Sequence, residues 1–191
     1  MDAIELLATR ASNGKLTDPA PDAAELTDIL DAALRAPDHG AVRPWRVLAV
    51  RGEARERLGE VWAEVQAKEA PDTSEDELDR TRRKPLRAPL VLVIAATVRE
   101  HKKAPEIEQV LSAGALTHGI LLGLQARGYA GMWRTGDMAY STPVKEALGL
   151  QASDHIVAYL YVGTASVPAP SMPRPSAKDV LSEWTGPVSG E

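Results

Sequence analysis

Pro105-Glu-Ile-Glu-Gln-Val-Leu-Ser-Ala-Gly-Ala-Leu-Thr-His-Gly-Ile-Leu-Leu-Gly-Leu-Gln-Ala-Arg127 is the longest helical pattern in the chain, and the rest of the sequence arranges itself around it. Its middle is apolar on nearly every side: Val110, Leu111, Ala113, Ala115, Leu116, Ile120, Leu121, Leu122 and Leu124. A helix that is apolar all round is buried, either in a core or at a subunit interface. Gly114, Gly119 and Gly123 would let another backbone come close. Gly128 supplies the C-terminal stop. The low-charge portion, Val110–Leu124, is too short to span a bilayer and contains His118.

Working outward, Leu90–Ala96 is a continuous apolar, β-branched run, which reads as a central strand covered on both faces. Shorter strands are expected at Val47–Arg51, Tyr129–Arg134 and Ile156–Val162. Helices are expected at Asp2–Thr9 and from Asp22, where Asp22 and Glu25 form a capping-box pair, to a stop near Ala36–Pro37. Glu53–Ala70 carries one apolar stripe through Leu58, Val61, Trp62 and Val65. Pro71–Leu86 is charged and reads as a solvated excursion with a helix opened by Ser74 and Glu77. Thr142–Leu148 is a short helix with Thr142 as N-cap and Pro143 at the first helical position. Val167–Pro175 holds four prolines in nine residues and reads as an extended arm, followed by a helical segment, Ala177–Trp184. Four strands among at least six helices, without a clean βαβαβ order, give an α+β fold.

The composition bounds the function. At 191 residues the chain is expected to form one domain, 1–191, with residues 167–191 as its arm, and needs no covalent staples. Charged residues make up 26% and the formal net charge is −5, a poor match to a nucleic-acid binder. Cysteine is absent, which excludes disulfides, thiol catalysis and iron–sulfur clusters. Phenylalanine is absent too, so the core must be aliphatic and each Trp and Tyr is worth locating. Met1–Thr9 has no basic segment of the secretory kind, and a soluble cytoplasmic protein without membrane attachment is expected.

There is no G-x-G-x-x-G, P-loop, H-E-x-x-H or G-x-S-x-G motif, and His39, His101, His118 and His155 lack metal-ligand spacing. Chemistry must therefore come from polar residues in loops. Arg10-Ala-Ser-Asn-Gly-Lys15 offers two cations and a hydroxyl that could hold a phosphate, or simply a helix end with solvated cations. Arg35-Ala-Pro-Asp-His39 leads through Arg43 to Pro44-Trp45, a loop that a buried Trp could equally well anchor for structural reasons alone. Gly128-Tyr-Ala-Gly-Met-Trp-Arg-Thr-Gly136 has three glycines that admit a ligand to the backbone, with Arg134 and Thr135 as donors; a plain strand edge is the alternative.

Taken in order, the three loops resemble those of the nitroreductase-like FMN flavoproteins, most closely their small NAD(P)H nitroreductase subgroup. Arg10-x-Ser12 with Lys15 is similar to that family's R-x-S phosphate motif. Arg35-Ala-Pro-Asp-His39…Pro44-Trp45 and Gly128–Gly136 resemble its next two motifs, and Arg174-Pro…Asp179-Val-Leu…Trp184 its C-terminal arm. The resemblance implies a central mixed, mostly antiparallel sheet flanked by helices, with the long helix at a homodimer interface. It implies FMN as cofactor, NAD(P)H as donor, a nitroaromatic, quinone or related small acceptor, and ping-pong electron transfer. Arg10, Ala11, Ser12 and Lys15 would face the FMN phosphate and ribityl chain, and Arg174 could add a phosphate contact. Trp133, Arg134 and Thr135 would flank the ring, partly through backbone groups. Arg35 and His39 would reach the flavin of the opposite subunit. No metal and no catalytic side chain is implied, because the flavin carries the chemistry. The chain departs from the family at Ala11, where a second cation is common, and at Arg43, where Gln is common. A non-catalytic flavin carrier or sensor, and a flavin-free dimeric interaction protein, are the other readings of these residues.

Overall fold

A computed structural model describes residues 2–186; residues 187–191, the end of the expected arm, lie outside the described residues. Five strands form the sheet: β1 (Leu16–Thr17), β2 (Trp45–Arg51), β3 (Leu90–Ala96), β4 (Ala130–Arg134) and β5 (His155–Ala165). β5 pairs with β3 and β4, β3 pairs in turn with β2, and β1 adds to the far end of β5. All of these pairings are antiparallel. The order β2-β3-β5-β4 puts the longest strand beside the most apolar one, and every residue of β3 is buried, as its composition predicts.

The helices are α1 (Ala3–Thr9), α2 (Ala23–Ala33), α3 (Glu53–Glu69), α4 (Glu75–Arg82), α5 (Glu106–Ala126) and α6 (Thr142–Ala147). The capping box opening α2 forms as read: Glu25 N donates to Asp22 Oδ1 at 2.9 Å, and Asp22 N donates to Glu25 Oε2 at 3.1 Å. One face of the sheet sends Leu90, Leu92, Ile94, Ala158, Leu160 and Val162 against α2 and α5. The close approach of those two helices uses two of the three glycines noted above. A Cβ at Gly119 would lie 3.3 Å from Ala33 Cα, and one at Gly123 would lie 2.9 Å from Ile29 Cγ2; at Gly114 there is open space. The opposite face packs on α3 and α6 through Val91, Val93, Tyr159 and Tyr161.

Residues 156 and 159 face the same side of the sheet because the β3–β5 register slips there. Ile94 pairs with Ala158 but Ala95 with Ile156, leaving Val157 as a bulge.

Several expectations are corrected. The sheet has a fifth strand, β1, too short to show periodicity. α6 is capped by Ser141 and not Thr142, so Pro143 stands at the second helical position. Ala177–Trp184 is a single 3-10 turn, Ala177–Asp179, followed by irregular chain. The excursion Pro71–Leu86 is not simply solvated: α4 buries Leu78 and Thr81, and Thr81 Oγ1 donates to Gln66 Oε1 of α3 at 2.7 Å. Arg82 ties the two helices further by pairing with Glu60 of α3 as well as Glu75 and Asp79. α5 runs to 21 residues and by length and apolarity could cross a bilayer. Here its inner side lies in the core, through Ala113, Leu116, Ile120 and Leu124, while Ile107 and Leu111 on the outer side are exposed.

Candidate functional site

A cavity of about 670 Å³ opens between the C-terminal half of α3, the 3-10 turn Lys84–Arg87 and the stretch from Met132 to Met138. A second, of about 660 Å³, lies between the Ser12–Leu16 segment and Ser166, Val167 and Pro170 at the start of the arm. Arg87, Met132 and Arg134 line both, so the two are halves of one cleft.

The strands set which side chains enter it. On β4, Met132 packs with the cluster on the α3 side and Trp133 with the opposite one, as alternation requires. The Trp133 indole accordingly turns away and donates to the carbonyl of Val157 at 3.0 Å. The bulge is what leaves that carbonyl available. Trp133 therefore borders the cleft from the strand backbone while its ring serves the sheet. Tyr161 stands opposite Met132 on β5, and the Arg134 guanidinium lies 6.0 Å from the Tyr161 ring centroid.

The Arg10–Lys15 loop is fixed by Asn13, which is buried. Its backbone N–H donates to Gly131 O at 3.1 Å, its side-chain amide donates to Val167 O at 2.7 Å, and its side-chain oxygen accepts from Lys15 N at 2.9 Å. One residue thus ties the loop to β4 and to the root of the arm. Ser12 and Lys15 line the cleft. Arg10 and Ala11 border a smaller hollow of about 180 Å³ beside it. The Arg10 guanidinium reaches Ser12 Oγ at 3.5 Å, and its backbone carbonyl accepts from Arg174 Nη2 at 3.0 Å. Arg10 and Ala11 therefore stand beside the cleft, with Arg174 held against Arg10.

The charge pattern is asymmetric. Lys15, Lys84, Arg87 and Arg134 line the cleft, yet none pairs with a carboxylate among the described residues; Arg82 and Arg127 elsewhere do. Cations that pair with no acid repel one another, and an anionic ligand relieves that repulsion. The acids of the cleft, Glu69 and Asp137, lie in the half beside α3, which Lys84, Arg87 and Arg134 also line, and Glu69 accepts from Ser141 Oγ at 2.9 Å. Burial pushes the Tyr161 phenol above its ordinary pKa, while Arg87 and Arg134 pull the other way. Among the described residues no cluster of His, Asp and Glu could hold a metal ion.

Arg35 and His39 lie outside the cleft. Their loop is anchored to α5: Trp45 Nε1 donates to Ser112 Oγ at 3.0 Å, and Ser112 Oγ donates to Pro37 O at 2.7 Å. His39 Nδ1 sits 2.6 Å from Glu108 Oε2 on the exposed side of α5, and Arg35 is exposed. The structure thus gathers Ser12, Lys15, Trp133, Arg134 and Thr135 around one cleft, puts Arg10 and Ala11 beside it with Arg174 held against Arg10, and sends Arg35 and His39 elsewhere. Sequence reasoning passed over Asn13, Lys84, Arg87 and Tyr161. For Arg87 the available signal was an Arg three positions before the buried strand; for Asn13 it was the polar residue between the two cleft-lining ones.

Comparison with known proteins gives the family. The family model described as the nitroreductase family matches residues 7–164. The chain is 39% identical over 169 residues to the Escherichia coli K12 protein named "Putative NAD(P)H nitroreductase YdjA", covering 88% of this chain and 91% of that one. It is 38% identical to the like-named Haemophilus influenzae protein, covering 86% and 89%. Among solved structures, a nitroreductase-like family protein from Bacillus cereus superposes with a TM-score of 0.80 at 21% identity, covering 97% of both chains. The Desulfovibrio desulfuricans protein described as "a putative nitroreductase in complex with fmn" gives 0.71 at 19%, covering 97% of this chain and 99% of that one. The fold, the ordered loops and the match over most of its length lead to one conclusion: this chain belongs to the nitroreductase family.

Proposed function

We propose that the protein is an FMN-dependent oxidoreductase that takes electrons from NAD(P)H and passes them, in a ping-pong cycle, to a nitroaromatic, quinone or related small acceptor. The observation that carries this reading is the cleft with four cations, none paired with a carboxylate among the described residues, lined also by Met132 and Tyr161. That donor set fits an elongated ligand with a phosphate at one end and a flat ring at the other. Ser12 and Lys15, with Arg10 and its neighbour Arg174, would hold the phosphate and ribityl chain. The Trp133 backbone, Arg134 and Thr135 would flank the ring. The relatives' names support the donor, and the Sphigopyxis NfnB structure (TM-score 0.70, 21% identity) is described as FMN and NADPH-dependent.

Bound FMN would supply the hydride and electron chemistry. The chain's own residues bind it, orient it and place donors where negative charge collects on reduction. We read residues 2–186 as one domain with an arm, working as a homodimer. The exposed Ile107 and Leu111 of α5 and the exposed Val180, Leu181 and Trp184 of the arm support that assembly. In it, Arg35 and His39 would complete the partner's cleft.

The test is the visible spectrum of the purified protein with and without added FMN, followed by anaerobic NAD(P)H. Bound flavin that bleaches supports the reading. A protein that takes up no flavin overturns it, and one whose flavin never bleaches is a carrier and not an enzyme. Sedimentation as a monomer at micromolar concentration would remove the shared-site assignment of Arg35 and His39.

A further inference from the structure

Tyr161 is 4% exposed, yet its hydroxyl makes no hydrogen bond with any described residue. Among the described residues, the one fully enclosed side-chain polar atom lacking a partner is Trp62 Nε1. The Tyr161 oxygen is therefore not sealed in; it is the part of the side chain that meets the cleft, which Tyr161 lines. Its neighbour Tyr159 makes the contrast plain: that phenol is wholly buried and donates to Met138 O at 3.0 Å. Two tyrosines on one strand face thus differ in one respect. One spends its proton on the fold and the other keeps it available.

The surroundings say what kind of partner fits. Arg134 lies over the ring, Arg87 is the second cation acting on the phenol, and both line the junction of the two halves of the cleft. Two guanidinium groups beside an O–H donor present only donors, so they address an electron-rich acceptor atom. Tyr161 lines the half beside α3 with Trp62, not the half with Ser12 and Lys15.

We propose that the Tyr161 hydroxyl, in the part of the cleft that Arg87 and Arg134 also line, is a cofactor-contacting hydrogen-bond donor that engages the part of bound FMN other than its phosphate. The inference rests on the FMN reading above. The test compares Tyr161→Phe with the unaltered protein for equilibrium binding of FMN and of riboflavin, which lacks the phosphate. The ring, and its stacking under Arg134, survive in this variant. Affinity for both ligands should fall about tenfold, the worth of one such bond. An unchanged affinity for both overturns the inference alone, as does a loss seen with FMN but not riboflavin, which would make the contact a phosphate contact. If the unaltered protein binds neither ligand, the FMN reading fails and this inference with it. Should Tyr161→Phe fold poorly, fluorotyrosine at position 161 replaces it as the probe. Its fluorine resonance should move on adding riboflavin, and a resonance that stays fixed while riboflavin binds overturns the contact.

Discussion

On one face of the sheet, β3 and β5 enclose only Leu, Ile, Val and Ala against α2 and α5, whereas on the other the same two strands present Tyr159 and Tyr161 beside Trp62. Aliphatic side chains interdigitate until no space is left. Rigid rings with polar tips do not close as completely, and they need partners for those tips. Trp62 packs edge-on against Tyr159 with centroids 4.7 Å apart, and one half of the cleft opens beside Trp62. In a chain without phenylalanine, the fully buried rings all gather on the face that carries the site. The sealed face holds the fold together; the aromatic face is where a ligand finds room.

That contrast can be broken by experiment. The largest effect should come from the sealed face: Leu116→Ala removes a wholly buried side chain and should destabilise the protein by about 2–5 kcal/mol in urea unfolding, with FMN affinity of the folded fraction unchanged. A similar loss of cofactor affinity would merge the two faces into one unit. Arg134→Ala on the open face should do the reverse. It should weaken FMN binding by about 1.5–3 kcal/mol in a fluorescence titration and leave unfolding of the ligand-free protein nearly unchanged.

The third prediction concerns pH. Burial raises the Tyr159 and Tyr161 phenols in the folded protein. Above about pH 10, the ordinary value, the unfolded chain releases those protons first and binds fewer of them than the native state. Stability should therefore fall as pH rises, by up to about 1.4 kcal/mol per pH unit for each phenol. Tyr159→Phe should flatten the slope, and an unaltered slope in that variant would count against the assignment. The smallest effect belongs to the sealed face again: Asp22→Ala opens the capping box of α2 and should cost about 1 kcal/mol in thermal or urea unfolding.

The elements that could be read from the sequence are those whose signals are local. The Asp22–Glu25 pair, the apolar run of β3 and the long pattern of α5 each depend on residues within a few positions of one another, and each forms where expected. β1 is not legible because two residues carry no period. Val157 is not legible because a bulge is a property of two strands in register. The arm's last helix fails since nothing in the described chain covers its apolar side: Val180 and Leu181 remain exposed, and a short amphipathic segment without a surface to pack on gains little from coiling. At the site, the Arg10–Lys15 and Gly128–Gly136 loops were recognisable by their order along the chain. Lys84 was not, because a cation inside the charged excursion Pro71–Leu86 looks like any solvated one until α4 is seen to pin that excursion against α3.

The four tryptophans occupy graded environments, from Trp62 at 3% exposure to Trp184 at 82%, with Trp45 and Trp133 between. This gives the molecule a built-in optical readout that needs no label. A soluble quencher such as acrylamide will reach the long-wavelength emission of Trp184 first. A chromophore seated in the cleft will instead drain the short-wavelength emission of Trp62, whose indole lines it. Following the two ends of one emission band during a single titration separates occupancy of the cleft from movement or burial of the arm.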